Sequence, residues 1–372
     1  MSSLDREALV ARVPDDVAGV PLSEFKVPVG LLAIVLFLRP VVNQPFMLGY
    51  PQIANTILIW MLFVTSFNLL FGYTGLLSFG HAMFYGIGAY GAASGLTRFG
   101  LAWHVAAPIG IVVAAAFAYV ISRLIVEKGE IYFAMLTLAF AQAVHYIANQ
   151  NPWDLTGGTT GITGASPAWI VSERGAKIVD WGVVRFDWYF LIGAVFILGM
   201  LAIWQVIRSP FGRSLIAIRE NDALARSMGM NIDRYKVWSF TFAGVFAAVA
   251  GVLVQINDQG ATLETLAILT SGDVILMTIL GGTTFFFGPA AGAFVWLFAE
   301  DFLTGFETLH LPLTEFPLVT VELGGVLAFW QFFLGLLFVI AVLLSPREGI
   351  WGLGQRALSR LYRLAMELSG RD

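Results

Sequence analysis

RSPFGRSLIAIRENDALARSMGMNIDRYK, residues 208–236, is a hydrophilic, basic island in a chain that is otherwise mostly apolar. It carries Arg208, Arg213, Arg219, Arg226, Arg234 and Lys236 against Glu220, Asp222 and Asp233. Apolar runs long enough to cross a bilayer lead into it, Trp188 to Ile207, and away from it, Val237 to Ile256. So many charges are not buried in lipid. The island therefore lies on one side of a membrane, and the positive-inside rule makes that side cytoplasmic.

Composition points the same way. Of the 372 residues 58% are hydrophobic and 12% charged, about half the charged share of a soluble domain. A mean hydropathy of +0.79 needs many apolar spans of about 20 residues rather than one core. The net charge of −4 says little, because the placement of charge matters more than its sum. With no cysteine, disulfides, thiolate metal sites and Cys nucleophiles are excluded. Residues 1–26 mix both signs of charge and lack the basic, apolar and small-residue parts of a signal peptide. They are expected to form a cytoplasmic polar leader.

Outward from the island, the apolar runs are Val27 to Val41, bounded by Pro28 and Pro40, then Ile53 to Phe71, Gly72 to Gly95, Leu101 to Val126 and Ile131 to Ala148. Residues 149–187, polar and Gly-rich, are expected to form an external loop. Asp273 to Leu303 is split by GGTTFFFGP, Gly281 to Pro289, into two short crossings or a re-entrant pair joined near the inner face. Gly325 to Leu344 closes the transmembrane part, taken as 27–345. From Asn257 to Ser345 there is no Lys or Arg, while eight acids fall there, among them Asp258, Glu264, Asp273, Glu300 and Asp301. Basic residues return in 346–372, so both termini are expected to be cytoplasmic. In that tail Leu358, Leu361, Tyr362, Ala365 and Leu368 share one helical face beside arginines, an interfacial helix pattern. The fold class expected is an all-α polytopic integral membrane protein of about ten membrane segments, eight to ten. The glycine pattern of Gly72–Ala89 is faintly repeated at Gly281–Ala293, both at breaks near the inner face.

Several stretches together resemble the permease subunits of branched-chain amino-acid-type ABC importers. They are NLLFGYTGLLSFGHAMFYGIGAYGA (Asn68–Ala92), GEIYFAMLTLAFAQ (Gly129–Gln142), LTGGTTGITG (Leu155–Gly164), the island itself, SGDVILMTILGGTTFFFGPAAGA (Ser271–Ala293) and WQFFLGLLFVIAVLLSPREGIWGL (Trp330–Leu353). Each alone is ordinary, and their order is the signal. The chain looks like the longer permease of a heterodimeric pair. The resemblance implies a type II-like ABC importer transmembrane domain in the inner membrane and a second, homologous permease. It also implies two cytoplasmic ATPases that bind ATP and Mg, and an extracytoplasmic solute-binding protein. Lipid is the surrounding medium, and no nucleic-acid partner is expected. Solutes of such systems include leucine, isoleucine, valine, urea, short amides and small organic acids.

Candidate residues follow from this frame. The island is expected to be the coupling loop, with Ser209-Pro210 starting a helix, Leu215, Ile218, Leu224 and Met228 forming an apolar ridge, and Gly229 stopping it. The coupling candidates are Arg213, Leu215, Ile218, Arg219, Glu220, Asn221, Ala223, Ala225 and Gly229. The general importer signature, Glu-Ala-Ala, three residues, then Gly, is only partly met, since Ala223 stands at its acidic position and Glu220 is out of register. Asn68, Gly75, Ser78, His81, Thr137 and Gln142 are candidates to line the pathway, because polar groups in spans face protein or a cavity. For the glycine-rich part, tight helix packing is the equal alternative. Trp153, Thr156, Gly157 and Gly158 either meet the binding protein or cap the pore. Glu300-Asp301 is expected to be solvated at a span end.

No catalytic or metal residue is identified. There is no G-x-x-x-x-G-K-[ST] loop, so ATP hydrolysis belongs to partner chains, and there is no H-E-x-x-H. A stand-alone carrier or channel is the alternative. It would place ionisable groups mid-span, where His81 is nearly alone.

Overall fold

The computed structural model describes residues 16–17, 20–42, 51–165, 177–180, 185–305, 309–310, 320–321, 330–345 and 348–368. The leader before residue 16 and most of 166–187 lie outside them. Thirteen α-helices occupy these residues. In order they are α1 (Leu22–Val42), α2 (Pro51–Thr74), α3 (Ala82–Thr97), α4 (Trp103–Ile125), α5 (Glu130–Gln150) and α6 (Trp188–Arg208). Then come α7 (Pro210–Glu220), α8 (Asp222–Ser227), α9 (Ile232–Asp258), α10 (Ile268–Gly281), α11 (Gly288–Gly305), α12 (Trp330–Leu344) and α13 (Gly349–Leu368).

Most of these segments are apolar all round, so they form helices that satisfy their own backbone and bury or expose oily faces as packing demands. Pro28 and Pro40 lie inside α1 rather than at its ends. Prolines are tolerated in membrane helices where neighbours and lipid leave the helix no alternative. Among the described residues five helices, α2, α4, α5, α6 and α9, are long and apolar enough to cross a membrane. There are six if α12 and the start of α13 count as one bent span. This corrects the expected ten segments, and the reason is length. The 16 residues of α3 and the 14 of α10 rise about 24 and 21 Å, short of a hydrocarbon core of ~30 Å.

The centre is built from α2, α3 and α9. The α2 and α9 spans are 78% and 72% buried, whereas those of α4, α5 and α6 are 39%, 28% and 33% buried. Glycines let the central backbones touch. A Cβ at Gly251 of α9 would stand 1.9 Å from the Tyr85 carbonyl oxygen, and one at Gly88 of α3 would stand 2.3 Å from that of Ala248. Around this centre α4 packs on α3 and α9, α6 on α2 and α1, and α10 on α11.

Contacts also define two ends. At one, the Asn55 amide donates to Asn257 (3.0 Å), and the two-residue strand Ile162–Thr163 pairs antiparallel with Gly260–Ala261. At the other, the island meets the end of α2, and the Gly282 turn packs on Glu348 and Gly349. The α10–α11 pair is a helical hairpin whose turn lies at the island end, in line with the sequence expectation.

Candidate functional site

The island folds as two short helices rather than one. Ser209 caps α7, its Oγ accepting from Gly212 N (3.3 Å), with Pro210 as the first helical residue. The chain breaks at Asn221, whose Oδ1 accepts from Leu224 N (2.9 Å) and starts α8. Gly229, at φ +83°, ends α8 with bonds from Gly229 N to Arg226 O and from Met230 N to Ala225 O. That is a Schellman stop, which favours glycine.

This geometry divides the coupling candidates. Leu215, Ile218 and Ala225 are buried, and Ile218 and Ala225 pack with Ile232 in a small core of the island's own. The expected ridge is therefore split. Leu224 is 56% and Met228 64% exposed, so of the four ridge residues the two turned outward belong to α8 and its C-cap, beside the exposed Ile216 of α7. Arg213, Glu220, Asn221, Ala223 and Gly229 are exposed as well. Lys236 Nζ bonds Asp222 Oδ2 (2.9 Å), tying α8 to the start of α9. Arg219 donates to the Gly72 carbonyl in the last turn of α2. A cavity of about 430 Å³ opens beside it, lined by Gly75, Glu130, Asp222, Lys236 and Thr283.

Between α2 and α3 the chain is unwound from Gly75 to His81. Gly75, at φ +81°, ends α2 by donating its N–H to Phe71 O (3.2 Å), a left-handed cap. The unwound piece runs inside the protein. Ser78 is buried and accepts from Gly80 N (3.3 Å), and Thr137 of α5 accepts from Phe79 N (3.2 Å) while donating to Ala134 O. The Asn68 amide reaches Thr283 O (3.4 Å), so the two glycine breaks of the sequence meet. His81, 1% exposed, sits among Phe63, Phe67 and Phe84 with Nε2 3.0 Å from Ser66 Oγ. Its Nδ1 has no partner among the described residues. Five of the six pathway candidates thus gather at one break. Gln142 does not join them, because it lies on the exposed face of α5.

At the opposite end, Asn151 Oδ1 gathers the backbone N–H groups of Thr156 (2.8 Å) and Gly157 (2.9 Å). The Thr156 hydroxyl donates to Ala148 O (2.6 Å), Gly158 is buried, and Arg98 pairs with Asp154 (2.7 Å). Trp153 is held at φ +59° and is 87% exposed. A well-tied loop thus presents one large aromatic side chain. The tail residues Leu358, Leu361, Tyr362, Ala365 and Leu368 carry no described side chains, although α13 itself runs to Leu368.

One group lies outside the sequence candidates. Asp258, Glu264, Asp273 and Glu300 line a common cavity at the end opposite the island, so Glu300 is not simply solvated as expected. The signal was present in the acids and the missing basic residues of 257–345. What sequence could not supply was that α9, α10 and α11 bring them together.

A polytopic helical protein with a glycine-broken buried centre and a polar two-helix island at one end has the build of a membrane permease. Residues 49–342 match the family described as branched-chain amino acid transport system / permease component, and the chain belongs to that family. It is 27% identical over 294 residues to the high-affinity branched-chain amino acid transport system permease protein LivM of Escherichia coli (strain K12), covering 74% of this chain and 69% of that one. The probable branched-chain amino acid transport permease protein LivH of Methanocaldococcus jannaschii is 24% identical over 294 residues, 74% of this chain and 82% of its own. The autoinducer 2 import system permease protein LsrC of Klebsiella pneumoniae subsp. pneumoniae is 34% identical over a shorter 148 residues, 38% of this chain and 37% of its own. Among solved structures, PsaBC from Streptococcus pneumoniae in complex with Fab superposes with a TM-score of 0.42 at 14% identity, covering 86% of this chain and 99% of that one. That likeness is too loose to carry an argument. The protein is thus a multi-pass membrane permease of the ABC importer type.

Proposed function

We propose that this chain forms half of the translocation path of an ATP-driven importer for branched-chain amino acids or related small polar solutes. The island end faces the cytoplasm, on the charge bias of the sequence. There α8 offers Leu224 and Met228 to a groove of an ATPase subunit, with Arg213 and Glu220 beside it. ATP and Mg are held by two such partner subunits, a homologous permease supplies the other half of the path, and an extracytoplasmic binding protein delivers solute. Trp153, Thr156, Gly157 and Gly158 form the loop that this protein meets.

The observation that carries the reading is the bond from Arg219 to the Gly72 carbonyl. It connects the exposed two-helix island directly to the break between α2 and α3. A push on α8 therefore reaches the unwound segment at Gly75–His81 without a flexible linker between them. Differential binding of solute by the two orientations of the path then gives the direction of transport.

Gentle-detergent purification of the tagged chain, followed by mass spectrometry, tests this. Two ATPases and a second permease are expected to accompany it, and deletion of residues 213–229 should release the ATPases while sparing the permease pair. A chain that emerges alone and moves solute in ATP-free vesicles would be a stand-alone carrier or channel instead.

A further inference from the structure

The cavity beside Arg219, about 430 Å³ in volume, lies between the island, the end of α2 and the start of α5. Four charged side chains line it: Glu130, Arg219, Asp222 and Lys236. They are not equally matched. Lys236 Nζ and Asp222 Oδ2 already bond each other at 2.9 Å. Arg219 and Glu130, both exposed, form no ion pair with each other or with any other charged group among the described residues. A guanidinium and a carboxylate thus line one space unpaired.

Arg219 holds a weaker partner instead. The N–H groups that follow Gly72 turn to other carbonyls, Gly75 N to Phe71 O and Leu76 N to Leu70 O. Gly72 O is left among the open carbonyls of a helix C-terminus, where basic side chains are favoured, and Arg219 caps it. The arginine stem lies over Gly75, where a Cβ would stand 3.2 Å from Arg219 Cγ. A neutral carbonyl competes poorly with a carboxylate, because bonds assisted by charge on both sides are stronger. The bond to Gly72 O therefore persists only while the open cavity keeps Glu130 out of reach.

We infer that Glu130 is the second station of Arg219. When the island and the start of α5 approach, the cavity closes, and the guanidinium leaves Gly72 O to pair with the Glu130 carboxylate. The inference rests on the importer reading and deepens it. The island is fastened to the break after α2 in one orientation of the path and to α5 in the other. Two exclusive partners for one guanidinium make the junction bistable, the kind of element that turns a small displacement into a switch. The Asp222–Lys236 pair keeps α8 tied to α9 in both.

The chain has no cysteine, so spin labels placed on Lys128→Cys and Ala217→Cys report without background from it. Both positions are exposed, close in sequence to Glu130 and Arg219, and outside the cavity lining. Pulsed electron–electron resonance on the assembled permease–ATPase complex reads their separation, nucleotide-free and trapped with ATP and vanadate. The complex without the two cysteines is the blank. A shorter distance should dominate in one nucleotide state and a longer one in the other. Glu130→Gln should lower the ratio of shorter to longer by roughly threefold, within the range of a partly exposed ion pair. In an Arg219→Ala background the same substitution should change nothing further, because the pair is already broken. Glu127→Gln, on the same turn but outside the cavity lining, should leave the ratio unchanged. An unchanged ratio in Glu130→Gln, an equal fall in Glu127→Gln, or an undiminished effect of Glu130→Gln without Arg219 overturns the inference. If ATP drives uptake while the distance is the same in both states, this inference falls alone. If no ATPase assembles with the chain, the importer reading falls with it.

Discussion

Single residues decide how closely this protein's backbones approach. Gly251 has no room for a side chain, since its Cβ would stand 1.9 Å from the Tyr85 carbonyl oxygen. Gly251→Val should cost at least the ~1–3 kcal/mol of an overpacked core, read as a lower melting midpoint and loss of monodisperse protein. Gly335 in α12 meets nothing within 4 Å, so Gly335→Ala should be neutral or stabilising by up to about 1 kcal/mol, the helix-propensity difference. Arg219 answers a different question. Arg219→Ala removes the bond to the Gly72 carbonyl while leaving Leu224 and Met228 exposed. The ATPases should still co-purify, and ATP-driven uptake should fall by about tenfold, the effect of ~1.4 kcal/mol on a barrier. Equal loss of ATPase binding would show that Arg219 serves the docking surface instead.

At the scale of elements, the two-helix island stands on its caps. Asn221→Ala removes the acceptor for Leu224 N and should destabilise α8 by ~1 kcal/mol, a typical loss for a helix cap. Asn221→Asp should retain it. The ratio of ATPase to permease recovered on co-purification checks both, and falls only for the alanine variant if α8 is the docking element. Much of this was legible in the sequence. The Ser209-Pro210 start, the Gly229 stop, the α10–α11 hairpin and the glycine break after Phe71 all carry strong local signals. The facing of the helices was not. Leu215 and Ile218 look like partners of Leu224 in a linear pattern, but the Asn221 break turns the two helices apart, and one pair goes inside. Gln142 lies apart from the other candidates, on the exposed face of α5, since a polar residue in a span is placed by packing and not by its polarity alone.

For the molecule as a whole, the hydrophobic runs announced a polytopic membrane protein, whereas the number of full-length spans did not follow from them. Short helices such as α3 and α10 are held by packing on their neighbours, α3 on α4 and α9 and α10 on α11, which is a tertiary effect invisible in a hydropathy window. The acidic cavity was hidden likewise, its four members spread from residue 258 to residue 300.

The break after α2 also has a consequence for how the chain is made. Its polar groups are satisfied from far along the sequence. Thr74 Oγ1 lies 2.5 Å from Ser239 Oγ, 165 residues later, and the Asn68 amide bonds Thr283 O, 215 residues later. Synthesis delivers α2 early and its partners late, and domains form as the chain emerges. The first half therefore waits in the bilayer with the Asn68 amide unanswered and the Thr74 hydroxyl held only by Leu69 O of its own helix until α9 and the α10–α11 hairpin arrive, and the segment that enters the membrane early is among the last to mature.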